Sequence, residues 1–326
     1  MSKYLYTFLE FVAFCLLIAF SVILALDKSY SFVVLDGISL WLACVLPSLF
    51  PYFFITACLS NLNLTGKFCA KLSPLTTNLF KVNGSVGYAY FISLVSGYPV
   101  GAKMVSDLYI GKVISNNEAV RASALCSTSS PMFLISSVGA IMFKNSLFGI
   151  LLFLSNVLSS MIIGIIFSFY NKKDKPTKIQ GLSFQKCDNL LYESAYGSVI
   201  SVLVVGAIIT LFYLITELLF NLKILNGFIY LFSLVFKDTE VAKGICLGLF
   251  ECTKGLKQIS TAPMSLFTLP LCALICGFGG LSVIMQSIAY LKKAKIKTAP
   301  FVLSKLLSAV LNFIICLIFS LLFLKI

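Results

Sequence analysis

The sequence has no histidine, and this absence excludes several kinds of chemistry. Ser-His-Asp and Cys-His nucleophile arrangements, HExxH zinc sites and histidine proton relays all need an imidazole. The sequence also has no CxxC pair among its 11 cysteines, which are scattered and mostly lie in apolar runs. Cysteine in such surroundings packs as a small hydrophobe. We therefore expect no enzymatic activity, no cofactor and no bound metal.

Charged residues are also scarce, at 11% of 326 residues, whereas soluble domains carry about 25%. Hydrophobic residues make up 59% of the chain, and the mean hydropathy is +1.01. Such a composition cannot cover a water-facing surface with charge, so it predicts an all-α polytopic membrane protein with one membrane domain. The net charge of +13 is then first a topology signal, and we expect no nucleic-acid partner.

Seven apolar runs are long enough to cross a bilayer, which needs about 20 apolar residues per helix. They cover residues 4–26, 39–59, 119–143, 146–169, 194–220, 265–290 and 300–324. The first run lacks the short apolar core and the small-residue cleavage site of a signal peptide, so we expect it to be a span. Glu10 and Glu217 fall inside spans and are buried-acid candidates without an assigned role.

Two further regions, 84–111 and 239–263, do not fit the pattern of a span. Each has a short apolar run that ends in Gly, Pro and Lys where a span would still be crossing. Non-helical backbone at membrane depth persists only where protein or a water-filled cavity satisfies its polar groups. We predict two re-entrant hairpins, with a pair of surface loops as the alternative.

Lysine placement predicts the orientation of the spans. Lysines crowd the polar linker 171–190 and the loop 292–297, and both loops should therefore be cytoplasmic. Counting seven spans and two non-crossing hairpins puts the N-terminus in the cytoplasm and the C-terminus on the opposite side. Lys223, Lys237 and Lys243 fall on the outer side, against this rule.

The two halves of the chain repeat the same order of elements. Residues 36–170 form the first copy and residues 191–326 the second, separated by the linker 171–190 and preceded by an N-terminal span and outer loop at 1–35. The first copy starts outside and the second in the cytoplasm, so the copies are inverted. Inverted repeats with hairpins and broken helices are typical of secondary transporters, which bind substrate near the midplane between the repeats.

Four consecutive hydroxyl residues, Ser127, Thr128, Ser129 and Ser130, precede Pro131 inside an apolar span. Proline removes a backbone donor, so these hydroxyls either bind a ligand or repair the broken turn. In the second copy the matching positions hold Gly277, Gly279 and Gly280. Glycine there serves either unwinding and close ligand approach or close helix packing.

The hairpins contribute the remaining candidates for substrate binding. The first contains Ser96, Gly97, Tyr98, Pro99 and Lys103, and the second contains Glu251, Thr253 and Lys254. Two lysines, one per hairpin, beside the N-termini of half-helices would make a site for an anion.

Each of these residues has an alternative role. Lys103 could instead extend to the cytoplasmic surface. Glu251 could pair with Lys254 on one helix face or bind a coupling proton or cation. Tyr98 could stack on an aromatic substrate. Gln286 lies in the middle of a span and must find a partner.

The segments SGYPVGAK, ALCSTSSPMFLISSVG, FECTKG and CGFGGLSV resemble the sporulation integral membrane protein family called YlbJ or SpoVV. The paired segments also resemble the nucleoside-recognition Gate domains shared with concentrative nucleoside transporters. The likeness spans roughly residues 40–320, and SGYPVGAK is its most specific part. The resemblance implies a role in endospore formation, in the outer forespore membrane, moving dipicolinic acid from the mother cell toward the forespore.

The two lines of inference agree on a small anion. Dipicolinate is a flat aromatic dianion, which lysines, hydroxyls, helix N-termini and a tyrosine could bind. We therefore expect an alternating-access transporter whose partners are this anion and the lipid bilayer, and a coupling ion is left open. The alternatives are a transporter of nucleosides, nucleobases or another small anion, and a non-transporting sporulation membrane scaffold.

Overall fold

The computed structural model describes residues 3–60, 65–171, 177 and 189–323, and these residues form helices and no strand. The first half contains α1 (Lys3–Leu26), α2 (Ser29–Leu40), α3 (Leu46–Ser60), α4 (Thr65–Leu75), α5 (Gly84–Ser96), α6 (Val100–Ile110), α7 (Asn116–Leu125) and α8 (Ser146–Phe167). The second half contains α9 (Leu190–Asn221), α10 (Ile224–Phe236), α11 (Thr239–Phe250), α12 (Cys252–Ile259), α13 (Thr268–Phe278), α14 (Gly280–Lys293) and α15 (Ala299–Phe323). This confirms the all-α polytopic class.

Five helical stretches in the described part of the chain are long and apolar enough to cross a membrane. They are Ser29–Leu59, Ser146–Phe167, Leu190–Asn221, Thr268–Lys293 and Ala299–Phe323. The predicted span 4–26 lies in α1, where the apolar helix Glu10–Leu26 is shorter and Glu10 is exposed. The predicted span 119–143 is divided between α7 and a π-helical segment, Met132–Met142. These two spans stay predictions.

The helix predicted over 39–59 begins earlier, at Ser29, and continues through both of its prolines. Residues 29–35, expected in an outer loop, are therefore helical. A π-helical turn, Trp41–Val45, lies just before Pro47. Proline cannot donate to the preceding turn, and the widened turn absorbs that loss. Ser137 Oγ donates to the Cys44 carbonyl at 2.5 Å and so satisfies an acceptor of the widened turn.

Both regions predicted as hairpins are helical hairpins. In the first, α5 and α6 are joined at Gly97, and in the second, α11 and α12 are joined at Glu251. Both arms of each hairpin bury side chains, which surface loops would not do. The depth of the hairpins in a membrane stays a prediction.

The packing of the helices repeats in the two halves. The α4–α5 contact of the first half corresponds to the α10–α11 contact of the second, and α3–α9 and α8–α15 pair matching helices across the halves. The contact of α6 with α14 likewise corresponds to that of α12 with Met132–Met142. The division of the chain into two copies and their inverted orientation stay predictions.

One end of the molecule gathers segments rich in lysine. An open groove there is lined by Lys112 after α6, Thr177 of the linker, and Lys293 and Lys295 before α15. Glu118 fixes this end, because its carboxylate accepts hydrogen bonds from the Asn83 N–H at 2.9 Å and the Thr177 hydroxyl at 3.0 Å. We call this region the Lys-rich end. Thr177 of the linker and the loop before α15 therefore lie at the same end of the molecule. The cytoplasmic location of this end stays a prediction.

Candidate substrate-binding site

The two hairpin tips and the two helix breaks meet around a cavity of about 50 Å³, which we call the central cavity. Its polar wall combines tip residues of both hairpins with residues of both broken helices: Gly97, Tyr98, Ser129, Ser130, Glu251, Thr253 and Gln286. Its apolar wall comes from Val45, Leu49, Phe133, Val205 and Ile209. The structure thus brings seven of the predicted site residues together, although they are far apart in the sequence.

The first hairpin tip packs directly on the first helix break. Gly97 has φ of +79°, in the left-handed region. A Cβ at this position would lie 2.9 Å from the Ser130 nitrogen, too close for any other residue. Glycine is therefore required both by the backbone conformation and by the close approach.

Tyr98 joins the two halves of the molecule. Its hydroxyl accepts a hydrogen bond from Ser129 Oγ at 2.5 Å and donates to the carbonyl of Cys276, at the end of α13. Ser129 is held in turn, because its N–H donates to Asn156 Oδ1 of α8 at 3.1 Å. Tyr98 thus connects the first hairpin to both broken helices. Asn156 was not predicted, and its place as an amide inside an apolar span is the signal that could have found it.

The four consecutive hydroxyl residues have different surroundings in the structure. Thr128 Oγ1 donates to the Ser93 carbonyl of α5 at 2.9 Å, which joins the break to the first hairpin. Ser130 Oγ accepts from the Phe133 N–H at 3.2 Å and caps the following segment while lining the cavity. Ser127 Oγ is buried without a hydrogen-bond partner in the structure. Ser130 thus caps the segment after the break, and ligand binding by this run stays a prediction.

The second helix break is made by glycine. Gly279 and Gly280 have φ of +84° and +75° and separate α13 from α14. A Cβ on Gly280 would lie 3.0 Å from the Cys252 nitrogen, so this break packs on the second hairpin tip. Gly277 instead permits close packing, because its Cβ would lie 2.6 Å from the Ser308 carbonyl of α15. No side chain caps the N-terminus of α14, so its backbone N–H groups stay available.

Glu251 caps the second arm of its own hairpin. Its carboxylate accepts from the Lys254 N–H at 2.6 Å, at the N-terminus of α12. The positive end of a helix macrodipole stabilises a carboxylate in this position. The N-terminus of α12 is therefore occupied by the protein itself, in contrast to the expectation that it would face a ligand.

Lys254 is directed away from the central cavity and is already paired. Its Nζ lies 3.0 Å from Glu217 Oε2 and 3.0 Å from Thr216 Oγ1, and 4.0 Å from the centre of the Tyr213 ring. The predicted partner Glu251 contacts the backbone of Lys254 and not its ammonium group. Lys254 therefore compensates Glu217 of α9, which gives that buried-acid candidate a partner.

Lys103 lies in a second cavity of about 190 Å³ beside the central one, together with Pro99. Its side chain is exposed, and α6 continues from it to the Lys-rich end. Gln286 and Val205 line both cavities and stand between them. Ser96, one residue before the tip, donates to Thr56 Oγ1 at 3.1 Å and anchors the tip to α3. The second cavity thus lies on the route from the central cavity toward the Lys-rich end.

The sequence interpretation missed Lys305 of α15, the buried cation closest to the hairpin tip. Its side chain is 1% exposed. Nζ lies 4.6 Å from the centre of the Tyr98 ring and 3.5 Å from the Ser127 carbonyl. A Cβ on Gly279 would lie 3.7 Å from its Cε, so the amine stands beside the uncapped start of α14. The sequence did contain a signal for Lys305, because a lysine inside an apolar span indicates function. The same lysine also fits a residue near the end of a span whose side chain extends to the membrane surface.

The chain is similar to the sporulation integral membrane protein YlbJ of Bacillus subtilis (strain 168). The two are 27% identical over 302 residues, which covers 84% of this chain and 73% of that protein. No protein-family model matches the chain, and no solved structure matches it. The relation to Gate domains and nucleoside transporters stays a prediction. Together with the apolar helices, the similarity supports an integral membrane protein that resembles a sporulation protein.

Proposed function

We propose that this chain is an alternating-access transporter of a small aromatic anion in sporulation, with dipicolinate as the substrate. Its membrane would be the outer forespore membrane. The sporulation assignment is supported by the similarity to the Bacillus subtilis sporulation integral membrane protein YlbJ. The transport assignment is supported by two repeated halves whose hairpin tips and broken helices meet at one cavity.

The observation that carries the choice of an anion is the positive electrostatic environment at the second helix break. Lys305 and the uncapped N-terminus of α14 lie side by side there. An ammonium group and free helix N–H groups both favour a carboxylate. Tyr98 and Ser129 supply hydroxyls at the same place. Glu251 is the opposing charge at the cavity, and the N-terminus of α12 compensates it.

The lining of the site suits an aromatic ring with charged groups. Aliphatic and aromatic side chains and hydroxyls together line the central cavity. An aromatic dicarboxylate would place its ring against the apolar wall and its carboxylates toward the polar wall.

The size of the central cavity implies movement. Pockets for small ligands measure roughly 300–1,000 Å³, whereas this cavity measures about 50 Å³. A ligand would therefore need the hairpin tips to separate from the helix breaks. The second cavity, which shares Gln286 and Val205 with the first, supplies space on the side of the Lys-rich end. We infer that substrate enters or leaves the site through it.

The test is uptake of radiolabelled dipicolinate into proteoliposomes of the purified full-length chain, with uridine and benzoate as competitors. Uptake that excess uridine leaves unchanged and that benzoate weakly inhibits would support an aromatic dicarboxylate site. Inhibition by uridine would support a nucleoside transporter. Folded protein that takes up neither compound under gradients of protons or sodium would contradict transport and favour the scaffold alternative.

A further inference from the structure

We propose that Lys305 carries one proton across the membrane with each substrate anion, so that transport is proton-coupled symport. The inference rests on the proposed function and assigns the coupling ion that the sequence left open. It comes from the position of this amine, which is buried beside the central cavity with no counter-charge among the described residues.

Lys305 lacks an ion-pair partner among the described residues, whereas Lys254 has one. The groups that face it come from three elements and are weak acids: Tyr98 of the first hairpin tip, Cys252 of the second tip and Cys276 of α13. Glu251 is held at the start of α12 by the Lys254 N–H. Two further helices pack on α15: α8 contains no titratable residue, and α7 carries Glu118 and Arg121, which are bonded to Asn83, Thr177 and Lys81. The positive charge is thus not compensated by any described residue.

A buried ammonium without a counter-charge is costly in a membrane, so the amine of the empty site favours its neutral form. A carboxylate that enters the central cavity supplies the missing charge. The amine nitrogen then binds a proton from water with its lone pair, and the ammonium–carboxylate pair crosses as one neutral unit at this position. On the other side the carboxylate leaves, the N–H bond breaks, the proton returns to water and the neutral amine remains.

The experiment measures accumulation of labelled dipicolinate in proteoliposomes while the membrane potential is held at zero. With the outside one pH unit below the inside, one proton per substrate sustains up to about tenfold accumulation by the wild type. Lys305→Arg has a permanent charge, and we expect it to retain exchange of internal for external dipicolinate but to lose accumulation. Lys305→Met should weaken dipicolinate binding at least tenfold. Lys243→Met, a lysine that lies over the Phe220 ring away from the cavity, should match the wild type.

The outcomes separate the inference from the proposed function. Circular dichroism and gel filtration first establish that each variant folds. Three results would overturn the coupling role of Lys305 and leave transport intact. In the first two, wild-type uptake does not depend on the pH gradient or instead follows a sodium gradient. In the third, the Lys305→Met variant still accumulates dipicolinate when a pH gradient is applied. No dipicolinate uptake by folded wild type overturns the proposed function, and the inference with it. Loss of accumulation with retained exchange in Lys305→Arg supports the inference.

Discussion

Tyr98 is the residue whose hydroxyl links both halves of the molecule, and its removal is the sharpest test at the scale of one side chain. Tyr98→Phe keeps the ring over Lys305 but removes the contacts to Ser129 and Cys276. A lost hydrogen bond costs about 1 kcal/mol, so we expect a folded protein with dipicolinate uptake reduced about fivefold. Uptake by reconstituted protein measures this.

The matched control for this tyrosine is Tyr90 in α5, the helix that ends two residues before Tyr98. Its hydroxyl lies 2.7 Å from Ser160 Oγ. Both residues belong to the first half of the chain, and neither lines the central cavity. Tyr90→Phe should lose similar stability and keep wild-type uptake. Equal uptake by the two variants would remove the Tyr98 hydroxyl from the transport mechanism.

At the scale of single residues, the sequence indicated which types of residue matter better than it indicated which residues they contact. The rule that a lysine inside an apolar span indicates function applies equally to Lys103, Lys254 and Lys305 and does not distinguish between them. Their different surroundings depend on which helices pack together: Glu217 of α9 meets Lys254, and Tyr98 of the first hairpin meets Lys305. Both contacts join residues far apart in the sequence, and no local pattern contains them.

At the scale of single elements, the first hairpin depends on its glycine tip. Gly97→Ala combines a left-handed backbone with a Cβ 2.9 Å from the Ser130 nitrogen. We expect loss of uptake and a free energy of unfolding lowered by about 2 kcal/mol. Gly197→Ala in α9 is the matched control, because a Cβ there meets nothing within 4 Å. It should stabilise the protein by about 0.5 kcal/mol. Thermal unfolding in detergent compares the two variants. Equal shifts in their unfolding temperatures would contradict a strained hairpin tip at Gly97.

The second hairpin is joined to α9 by the ion pair between Lys254 and Glu217. The Lys254 side chain is 9% exposed and that of Glu217 is 31% exposed. Glu217→Leu leaves a buried ammonium unpaired and should cost about 3 kcal/mol. Lys254→Met leaves a half-buried carboxylate and should cost less.

Because the two side chains share one interaction, their double variant should be more stable than the sum of the single effects by at least about 1 kcal/mol. A double-mutant cycle of unfolding measures this. The double variant should also retain dipicolinate uptake, because Lys254 is not at the central cavity. Additive effects, or abolished uptake in a folded double variant, would return Lys254 to the site.

The order of elements was predictable because it depends on local signals. Glycine, proline and lysine in short apolar runs marked both hairpins, and Pro131 and Gly279 marked the two breaks. The helical start at Ser29 was missed because Asp36 and Gly37 lower the hydropathy of that stretch, although Gly37 packs closely on Thr210 of α9. Tertiary packing thus extends a helix that composition alone would end.

At the scale of the whole molecule, the repeated packing predicts a site that is reached from one side at a time. The second cavity connects Lys103 with the central cavity, and α6 and α14 carry its walls to the Lys-rich end. α7 begins at that end, and Lys144 follows the Met132–Met142 segment that continues from α7. Lys103 and Lys144 should therefore face opposite sides of the membrane.

Single cysteines at these positions test both sidedness and substrate access. Lys103→Cys and Lys144→Cys are placed in a chain with Cys15, Cys58 and Cys187 replaced by alanine, because the other native cysteines are buried. A membrane-impermeant maleimide should label the first cysteine in inverted vesicles and the second in spheroplasts. Saturating dipicolinate should slow labelling at 103 at least threefold and leave 144 unchanged, because only 103 lies in the second cavity. Labelling of both from one side would refute the span count, and an unprotected 103 would refute this cavity as the access route.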